Sequence, residues 1–363
     1  MKAAVCYEFG KALVVEEVDL APIKRDEVRV KVVATAVCHS DIHLIRGDLG
    51  DVLGGVPVVA GHESAGYVEE VGEDVTSVKP GDHVVTSILR ACGECFYCRT
   101  GLPHLCRVKP PVDEESPIRN KKGQGIIRME KVAGFAEYVN ADASAIAKLP
   151  EDMPFDRASL LACGVITGFG AVVNRAQVEP LSSVVVIGTG GVGLNAIQGA
   201  AFAGAHPVIA VDVLDNKLEA ARKFGATHTV NSSKEDPVEA IKDLTSGAGA
   251  DYAFVTVGNT DAITQAVSMT RPRGMTVIVG IPPMDKGTFT LSAFDFFQTE
   301  RVLTGVFMGS TNLKVQLPKL VRLYQDGRLK LDELITKRYN FEDINEAIET
   351  VERGEALRNI LMF

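Results

Sequence analysis

Cysteines are the residues whose spacing most clearly indicates chemistry in this sequence. Four of the seven lie close together, at Cys92, Cys95, Cys98 and Cys106. Four thiolates on so short a loop can fill every position of a tetrahedral zinc ion. A closed ligand shell leaves no position for a substrate, so we expect a structural zinc site that stabilises a loop with little apolar core.

A glycine-rich segment carries the second pattern, Gly188-Thr-Gly190-Gly-Val-Gly193, which follows an apolar run and precedes an Ala-rich helical stretch. In that setting the glycines permit a tight turn, close approach of a pyrophosphate and close packing of the helix. The pyrophosphate would lie on the helix N-terminus, where free N–H groups attract an anion. The sequence therefore predicts a dinucleotide site that also includes Gly191 and Val192.

Asp212 ends the next apolar run along the chain and completes this pattern. A carboxylate at that position can accept hydrogen bonds from the ribose hydroxyls and would repel a 2′-phosphate. NAD is therefore favoured over NADP. Lys217, in the helical stretch that follows, is a further candidate for contact with the adenosine ribose.

Three other possible metal ligands, Cys38, His62 and Cys163, are scattered along the chain. Spacing alone does not join them into one site. Taken singly, a cysteine is often a small buried apolar residue, and a histidine is often a hydrogen-bonded core residue.

The elements that must position these residues fall into two patterns. From Met1 to about Leu149, short alternating runs broken by Gly and Pro predict an antiparallel β-rich domain. After Pro154, apolar runs alternate with helical stretches, which predicts a doubly wound parallel sheet. From about Asn312 the helical spacing of apolar residues returns, and we expect this segment to pack on the first domain.

Composition excludes several classes of function. The net charge of −9 and the lack of a Lys/Arg block argue against nucleic acid as a partner. Met1 to Leu20 lacks the apolar core of a signal peptide, and the uncharged stretch Ala158 to Val173 is shorter than the ~20 residues of a membrane span. Seven cysteines without a secretion signal favour metal or catalytic use in a reducing compartment. We therefore expect a cytoplasmic protein that does not bind membranes.

These motifs resemble those of the zinc-containing medium-chain alcohol dehydrogenases, with the liver-type and glutathione-dependent formaldehyde enzymes as the nearest branch. The resemblance spans the chain and rests on Cys38-His-Ser-Asp41, Gly61-His62-Glu63, the four-cysteine loop, Cys163-Gly-x-x-Thr167-Gly, the glycine fingerprint and Arg358-Asn-Ile-Leu. It implies an α/β fold with a GroES-like catalytic domain at 1–164, completed by 309–363. A Rossmann domain that binds NAD would occupy 165–308.

The resemblance also joins the scattered ligands. It implies that Cys38, His62 and Cys163 hold a catalytic zinc, with a fourth position open to water or alcohol. Sorbitol- and threonine-type relatives have Glu where this chain has Cys163. The implied reaction is reversible oxidation of primary or secondary alcohols by hydride transfer to NAD, in an enzyme with two zinc ions per chain.

Further roles around the zinc and the cofactor follow from the same resemblance. Ser40 would receive the alcohol proton and pass it through the cofactor ribose to His43. Asp41 and Glu63 would orient His62 or adjust the charge around zinc. Besides the glycine fingerprint, Asp212 and Lys217, the expected cofactor contacts are His39, Thr167, Val257 and Arg358.

Three departures from the family pattern bear on the substrate. The segment between Cys38 and His62 is longer than in liver-type members, within Gly47 to Gly55. Pro110 stands where glutathione-linked enzymes have an Arg for the carboxylate of the thiol, although Lys109 or Arg107 could substitute. Ile88 stands where relatives often have an aromatic residue, which suggests room for bulky or aromatic alcohols.

Two alternatives remain open at this stage. The chain could be a formaldehyde dehydrogenase that acts on S-(hydroxymethyl) conjugates of a thiol, because that enzyme shares every metal and cofactor residue. It could also be a zinc module without enzymatic activity that uses the four-cysteine loop as a zinc ribbon. If the family resemblance holds, we expect a homodimer or homotetramer joined through the cofactor domains.

Overall fold

The computed structural model describes residues 1–50, 54–108, 113, 115–284 and 287–363. The chain forms two compact units. The first comprises Met1–Cys163 with Asn312–Phe363, and the second comprises Gly164–Thr311. The boundaries expected from sequence lie within three residues of these positions.

Eighteen strands are found in the described part of the chain. They are β1 (Lys2–Cys6), β2 (Val14–Leu20), β3 (Glu27–Ala36), β4 (Val58–Val59), β5 (Ser64–Val71), β6 (His83–Thr86), β7 (Ile118–Asn120), β8 (Gly125–Arg128), β9 (Tyr138–Asp142), β10 (Ile146–Lys148), β11 (Val184–Ile187), β12 (Val208–Asp212), β13 (His228–Asn231), β14 (Ala250–Val255), β15 (Thr270–Ile278), β16 (Val302–Gly305), β17 (Ile335–Asn340) and β18 (Arg358–Met362).

Eleven α-helical segments are found in the same residues. They are α1 (His39–Arg46), α2 (Phe96–Arg99), α3 (Phe155–Leu160), α4 (Ile166–Gly170), α5 (Gly191–Phe202), α6 (Asp215–Lys223), α7 (Pro237–Leu244), α8 (Thr260–Met269), α9 (Ala293–Thr299), α10 (Leu313–Gln325) and α11 (Ile344–Glu352).

The first unit is rich in β-structure, as the alternating runs predict. Strands β1, β2, β7, β8 and β4 close a barrel, and a second sheet has the order β10-β6-β5-β3-β18-β17, with β9 also paired to β3. The C-terminal segment is part of this sheet, because β18 lies antiparallel to β3 with Ile360 opposite Ala36. Valines at alternate positions of β3, Val28, Val30 and Val32, enter the apolar core.

The second unit contains a six-stranded sheet in the order β13-β12-β11-β14-β15-β16, and all five strand pairs are parallel. This confirms the doubly wound α/β fold. The order reverses between β11 and β14, so the carboxyl ends of these strands frame the crevice in which such folds bind ligands. Strands β13 and β16 are short and partly polar, so they do not stand out as apolar runs in the sequence.

One helical stretch, Phe155–Ala176, is long and apolar enough to cross a membrane, but 83% of its most apolar window is buried inside the protein. A core helix accounts for this composition. The stretch is not regular α-helix throughout, because it widens into π-helical turns at Leu161–Val165 and Ala171–Ala176. The first of these turns carries Cys163.

Candidate active site and metal centres

The scattered ligands come together at the ends of neighbouring strands in the seven-stranded sheet of the first unit. Strand β3 is antiparallel to both β5 and β18, so the end of β3 lies beside the beginnings of those two strands. Cys38 follows β3, His62 and Glu63 immediately precede β5, and Arg358 begins β18. Strand pairing therefore gathers residues that are far apart in sequence.

Cys163 reaches the same cluster from the π-helical turn Leu161–Val165. Such single wide turns inside helices are frequent at functional sites, because they change the direction in which a side chain points. Ser87, directly after β6, donates a hydrogen bond of 2.8 Å from its Oγ to the carbonyl oxygen of Ala162. This bond anchors the turn beside the sheet.

The four possible ligand atoms of Cys38, His62, Glu63 and Cys163 all lie within 4.8 Å of one another. The residues are buried, with exposed fractions of 7%, 1%, 0% and 7%. Two sulfurs with one imidazole suit zinc, and this combination is the catalytic set known from alcohol dehydrogenases. Glu63, expected to orient His62 or to adjust the charge around zinc, lies close enough to be a fourth ligand candidate.

The Asp41 carboxylate organises this cluster from a fully buried position. Its Oδ2 accepts a 3.0 Å hydrogen bond from the backbone N–H of Cys38, at the N-terminus of α1. Its Oδ1 lies 2.9 Å from the backbone N of Gly61 and 2.8 Å from Nδ1 of His62. A carboxylate only accepts hydrogen bonds, so Nδ1 of His62 carries the proton and Nε2 is left for the metal.

Charges in the cluster are strongly coupled. The hydrogen bond between the two thiols is the largest influence on both, and it holds the pKa of Cys38 well below and that of Cys163 well above the usual value. Burial raises the pKa of Glu63 to about 8, although Arg358 lowers it. The contact therefore favours a thiolate at Cys38 over one at Cys163.

Arg358 donates a hydrogen bond from Nη2 to Oε2 of Glu63, and both side chains are buried. Among the described residues, Oε1 of Glu63 and Nε of Arg358 have no hydrogen-bond partner. A buried carboxylate with one unpartnered oxygen, next to two thiols and an imidazole, fits a cation bound in the cluster. The donor set therefore fits zinc. The resemblance assigned Arg358 to the cofactor, and the structure adds this second role beside the metal.

The two predicted relay residues lie on the helix that follows Cys38. Oγ of Ser40 is 3.2 Å from Sγ of Cys38 and 3.4 Å from Nε2 of His62. His43 is one turn further along α1, and its Nδ1 is 2.7 Å from Oδ2 of Asp48. Sequence reasoning missed Asp48, although a Gly-Asp pair directly after a helix is a signal of an ordered helix end.

The four cysteines of the loop form the second cluster, and their sulfurs also lie within 4.8 Å of one another. Sγ of Cys92 and Sγ of Cys98 are 3.9 Å apart. Zinc–sulfur bonds of 2.3 Å in a tetrahedron place sulfurs about 3.8 Å apart. The spacing of these sulfurs therefore fits a tetrahedral zinc ion.

Backbone N–H groups around this loop point at the sulfurs. Those of Glu94 and Cys95 donate to Sγ of Cys92 over 3.5 and 3.3 Å, and that of Cys92 donates to Sγ of Cys106 over 3.4 Å. The first two bonds lower the pKa of Cys92. Burial raises the pKa of Cys106, but the backbone N–H groups of Cys92 and Val108, with neighbouring thiols, bring it to about 6. Thiolates, which are the form that binds zinc, are favoured at both positions.

The glycine fingerprint lies in the second unit, between β11 and α5. Gly188 has a φ of 86°, and a Cβ on Gly193 would come within 1.9 Å of the carbonyl oxygen of Gly188. The fold itself therefore requires these two glycines. A Cβ on Gly190 would meet no protein atom within 4 Å. The folded chain gives no reason for a glycine there, whereas close approach of a pyrophosphate does.

Asp212 ends β12 beside this loop. Its Oδ2 accepts hydrogen bonds from the backbone N and the Oγ1 of Thr189, over 2.7 and 2.9 Å, and its Oδ1 accepts one from the backbone N of Leu214 over 3.0 Å. Oδ1 thus keeps a lone pair for a ribose hydroxyl. Burial lowers the pKa of Lys217, on the following helix, although Asp212 raises it.

The remaining predicted cofactor residues divide between the two units. Val257 contacts the fingerprint, because a Cβ on Gly188 would come within 2.4 Å of its Cγ1. Thr167 is on α4 of the second unit, with its Oγ1 3.7 Å from Sδ of Met308. His39 and Arg358 belong to the first unit.

Of the residues considered for substrate selection, Ile88 packs against the apolar core of the first unit. Pro110 and Lys109 lie outside the described residues.

Two zinc ions per chain are the expected metal content of the purified protein, one for each cluster. Cys38→Ala and Cys92→Ala should each reduce the content to one zinc per chain. Cys92→Ala should also lower the unfolding temperature strongly, because the loop has little apolar core of its own, whereas Cys38→Ala should leave that temperature nearly unchanged. Elemental analysis and thermal unfolding monitored by circular dichroism measure both effects.

Cys6→Ala is the matched control, since Cys6 is buried in β1 outside both clusters and should keep two zinc ions. A single zinc per chain in the unmodified protein, or equal loss of stability in the two cluster variants, would contradict this division between the sites.

Two models of known protein families match the chain. Residues 24–151 match the alcohol dehydrogenase GroES-like domain, and residues 191–326 match the zinc-binding dehydrogenase domain. Together they cover most of both units.

Individual relatives match over nearly the full length. The chain is 38% identical to the NDMA-dependent alcohol dehydrogenase of Amycolatopsis methanolica, over 99% of this chain and 98% of that protein. The benzyl alcohol dehydrogenase of Acinetobacter calcoaceticus has a similar structure, with a TM-score of 0.91, 34% identity and coverage of 100% and 99% of the two chains. An alcohol dehydrogenase zinc-binding domain protein of Burkholderia ambifaria gives a TM-score of 0.93 with 33% identity, over 100% and 98% of the two chains. The chain therefore belongs to the zinc-containing medium-chain alcohol dehydrogenases.

Proposed function

We propose that this oxidoreductase converts primary and secondary alcohols to aldehydes and ketones, with NAD as the hydride acceptor and zinc in both clusters. The observation that carries the proposal is the buried set of Cys38, His62 and Cys163, with His62 oriented by Asp41. In the balanced reaction, alcohol and NAD⁺ give carbonyl product, NADH and one proton.

Zinc, when bound, supplies a Lewis acid that makes the hydroxyl proton of the alcohol acidic at neutral pH. The protein then has to accept that proton. Oγ of Ser40 lies beside two ligand atoms, at 3.2 and 3.4 Å, where it can accept a proton from an alcohol and pass on its own. His43 stands on the next turn of the same helix and is partly exposed, so it can release the proton to water.

Arg358 and Glu63 adjust the charge of the site. The Glu63 carboxylate is held by the guanidinium of Arg358 behind the ligand atoms. Two thiolates would already neutralise a divalent cation, and Arg358 would compensate the further negative charge that Glu63 adds when it is ionised. The site then keeps the electrophilic character that alcohol oxidation needs.

NAD rather than NADP is proposed on the position of Asp212, which ends β12 and would repel a 2′-phosphate. The name of the Amycolatopsis methanolica relative refers to NDMA. NDMA is therefore a second acceptor to include in an activity assay.

An aromatic alcohol is proposed among the substrates for two reasons. Ile88, an aliphatic residue, stands where family members often have an aromatic side chain that narrows the pocket. In addition, a structural relative is named for its action on benzyl alcohol.

A screen of alcohols, with NADH formation followed at 340 nm, tests the function directly. We expect turnover with NAD, much slower turnover with NADP, and faster turnover of benzyl alcohols than of ethanol. Parallel reactions contain NDMA or added glutathione. Cys38→Ala should abolish turnover in all of these reactions because it removes a proposed metal ligand.

Turnover in the Cys38→Ala variant that equals that of the unmodified protein would overturn the function. Strict dependence on glutathione with formaldehyde would instead support the S-(hydroxymethyl) conjugate alternative. Preference for ethanol over benzyl alcohols would contradict the proposal that Ile88 leaves room for an aromatic alcohol. It would not contradict the proposed oxidation of alcohols.

Gly190→Val separates cofactor binding from folding. A Cβ at this position would meet no protein atom within 4 Å, and the backbone φ of −73° suits any residue, so the variant should fold with a nearly unchanged melting temperature. It should raise the dissociation constant for NAD by about tenfold or more, because the methyl groups occupy the space of the pyrophosphate. Isothermal titration calorimetry measures the constant.

Gly193→Ala is the matched contrast, since its Cβ would meet the carbonyl oxygen of Gly188 at 1.9 Å. It should lower the melting temperature as well as the affinity. Unchanged affinity for NAD in Gly190→Val would show that the loop does not bind the pyrophosphate.

A second copy of this chain is the proposed partner. Strand β16 lies at the edge of the described six-stranded sheet and pairs there with β15 alone. Exposed apolar side chains lie on and near it, including Val302 at 42% and Phe297 at 80% exposure. An edge strand with apolar neighbours favours pairing with an identical strand.

Light scattering after gel filtration should give a molar mass of at least twice the chain mass of 38.8 kDa. Phe297→Asp should shift the protein towards the monomer, because burying a charge at the interface is costly. Val315→Asp, at a position with 51% exposure on α10 of the other unit, is the control and should not change the mass. A monomeric unmodified protein would exclude this assembly.

A cytoplasmic location is also proposed. All seven cysteines are free, and six of them belong to the two candidate zinc clusters. Thiolate sites of this kind persist best in a reducing compartment.

A further inference from the structure

The C-terminal end of α1 holds an aspartate against the predicted relay histidine. The backbone N–H of Asp48 donates to the carbonyl oxygen of His43 over 2.9 Å, and that of Gly47 donates to Leu44 over 3.0 Å. This pair of bonds is a Schellman motif. The side chain of Asp48 returns to the same residue, with Oδ2 2.7 Å from Nδ1 of His43.

The motif fixes Asp48 independently of the side-chain contact. Gly47 has a φ of 83°, a conformation that other residues rarely adopt. A Cβ there would also come within 3.1 Å of the ring of Phe9. The chain must therefore turn at this point, and the turn places the backbone of Asp48 where its carboxylate can reach the imidazole.

The contact decides which nitrogen of His43 carries the proton. An ionised carboxylate has no hydrogen to donate, so Nδ1 of a neutral His43 must be the N–H donor. Nε2 then presents its lone pair. In a histidine, the hydrogen bond made by one ring nitrogen sets the protonation of the other.

We propose that Asp48 is a positioning residue for proton release, which it serves by holding His43 in the Nδ1–H form with Nε2 as the proton acceptor. This proposal rests on the proposed function, in which His43 receives the proton that the alcohol loses. Nε2 takes up that proton, the ring becomes an imidazolium paired with the Asp48 carboxylate, and Nε2 then gives the proton to water. His43 and Asp48 return to their starting states, so one proton is released for each alcohol oxidised.

The other charged and titratable neighbours in the described structure do not replace Asp48. The ring of His39 meets that of His43 edge-on, with centroids 5.1 Å apart, and it adds no negative charge. Arg46, on the last turn of α1, is paired through Nε with Glu352 of α11 at 2.7 Å. The carboxylate of Glu352 is thus engaged with Arg46, and that of Asp48 faces the imidazole.

The exposure of the pair suits this role. The side chain of His43 is 18% exposed and that of Asp48 is 31% exposed. Water therefore reaches the pair, so that His43 can exchange protons, while most of the imidazole is held by the surrounding protein.

The first test is spectroscopic and does not depend on activity. With ¹⁵N-labelled histidine, His43→Gln identifies the His43 signals. At a pH where the ring is neutral, the unmodified protein should show the Nδ1–H form. Asp48→Asn has nearly the same shape but can also donate a hydrogen bond to Nδ1, so it should show a substantial fraction of the Nε2–H form. The Nε2–H form as the main species in the unmodified protein would overturn the proposal, even if the protein oxidises alcohols.

The second test is kinetic. Asp48→Asn should lower kcat by about tenfold, a part of the 10²–10⁴-fold that a positioned base contributes, with little change in the KM for alcohol. Asp48→Glu should restore part of the rate because it returns the carboxylate. In the His43→Gln background, Asp48→Asn should change kcat by less than about twofold, since its effect acts through the histidine. Equal losses in the two backgrounds would overturn the proposal.

Glu352→Gln is the matched control for α1, because it breaks the ion pair with Arg46 on the same helix without touching His43. It should leave kcat within about twofold and the His43 signals unchanged. If Glu352→Gln lowers kcat as much as Asp48→Asn does, the loss of rate comes from a general disturbance of α1 and the proposal fails. If the expected His43 form is found but no alcohol is oxidised, the proposed function fails together with the proposed role in proton release.

Discussion

The buried carboxylate of Asp41 is the constraint on which the catalytic cluster depends. It accepts hydrogen bonds from the backbone at Cys38 and at Gly61, and it holds His62 through Nδ1. One side chain thereby joins the beginning of α1 to the segment before β5. Loss of the imidazole would take one of three hydrogen bonds from a fully buried carboxylate, which costs about 1.5–3 kcal/mol. The ligands are therefore held by the same hydrogen bonds that join the beginning of α1 to the segment before β5.

Local patterns made part of the molecule predictable. The four-cysteine loop and the glycine fingerprint each lie in a short stretch of chain, so their spacing already reflects their geometry. The parallel strands after Pro154 were visible as apolar runs, because strands covered on both faces have few polar residues. The resemblance to a family supplied the grouping of Cys38, His62 and Cys163, which spacing could not.

Contacts across long stretches of sequence were not predictable. Arg358 meets Glu63 across 295 positions, because β18 pairs with β3 near the beginning of β5. A π-helical turn directs Cys163, and no residue type marks that turn. Asp48 was overlooked because it was considered only as part of a long glycine-rich segment. Gly47 marks the helix end in the sequence, but the contact between the Asp48 carboxylate and His43 is visible only in the structure.

The insertion of β18 between β3 and β17 also constrains the order of folding during synthesis. Chains emerge from the ribosome with the N-terminal residues first, and domains generally fold as units. The second unit is continuous and can fold once residue 311 has emerged, whereas the first unit waits for residues 358–362. Strand β18, the last strand of this sheet in chain order, also brings Arg358 to Glu63. Until then, the thiols of the cluster remain in an incomplete domain, so the catalytic metal site is finished among the last parts of the molecule.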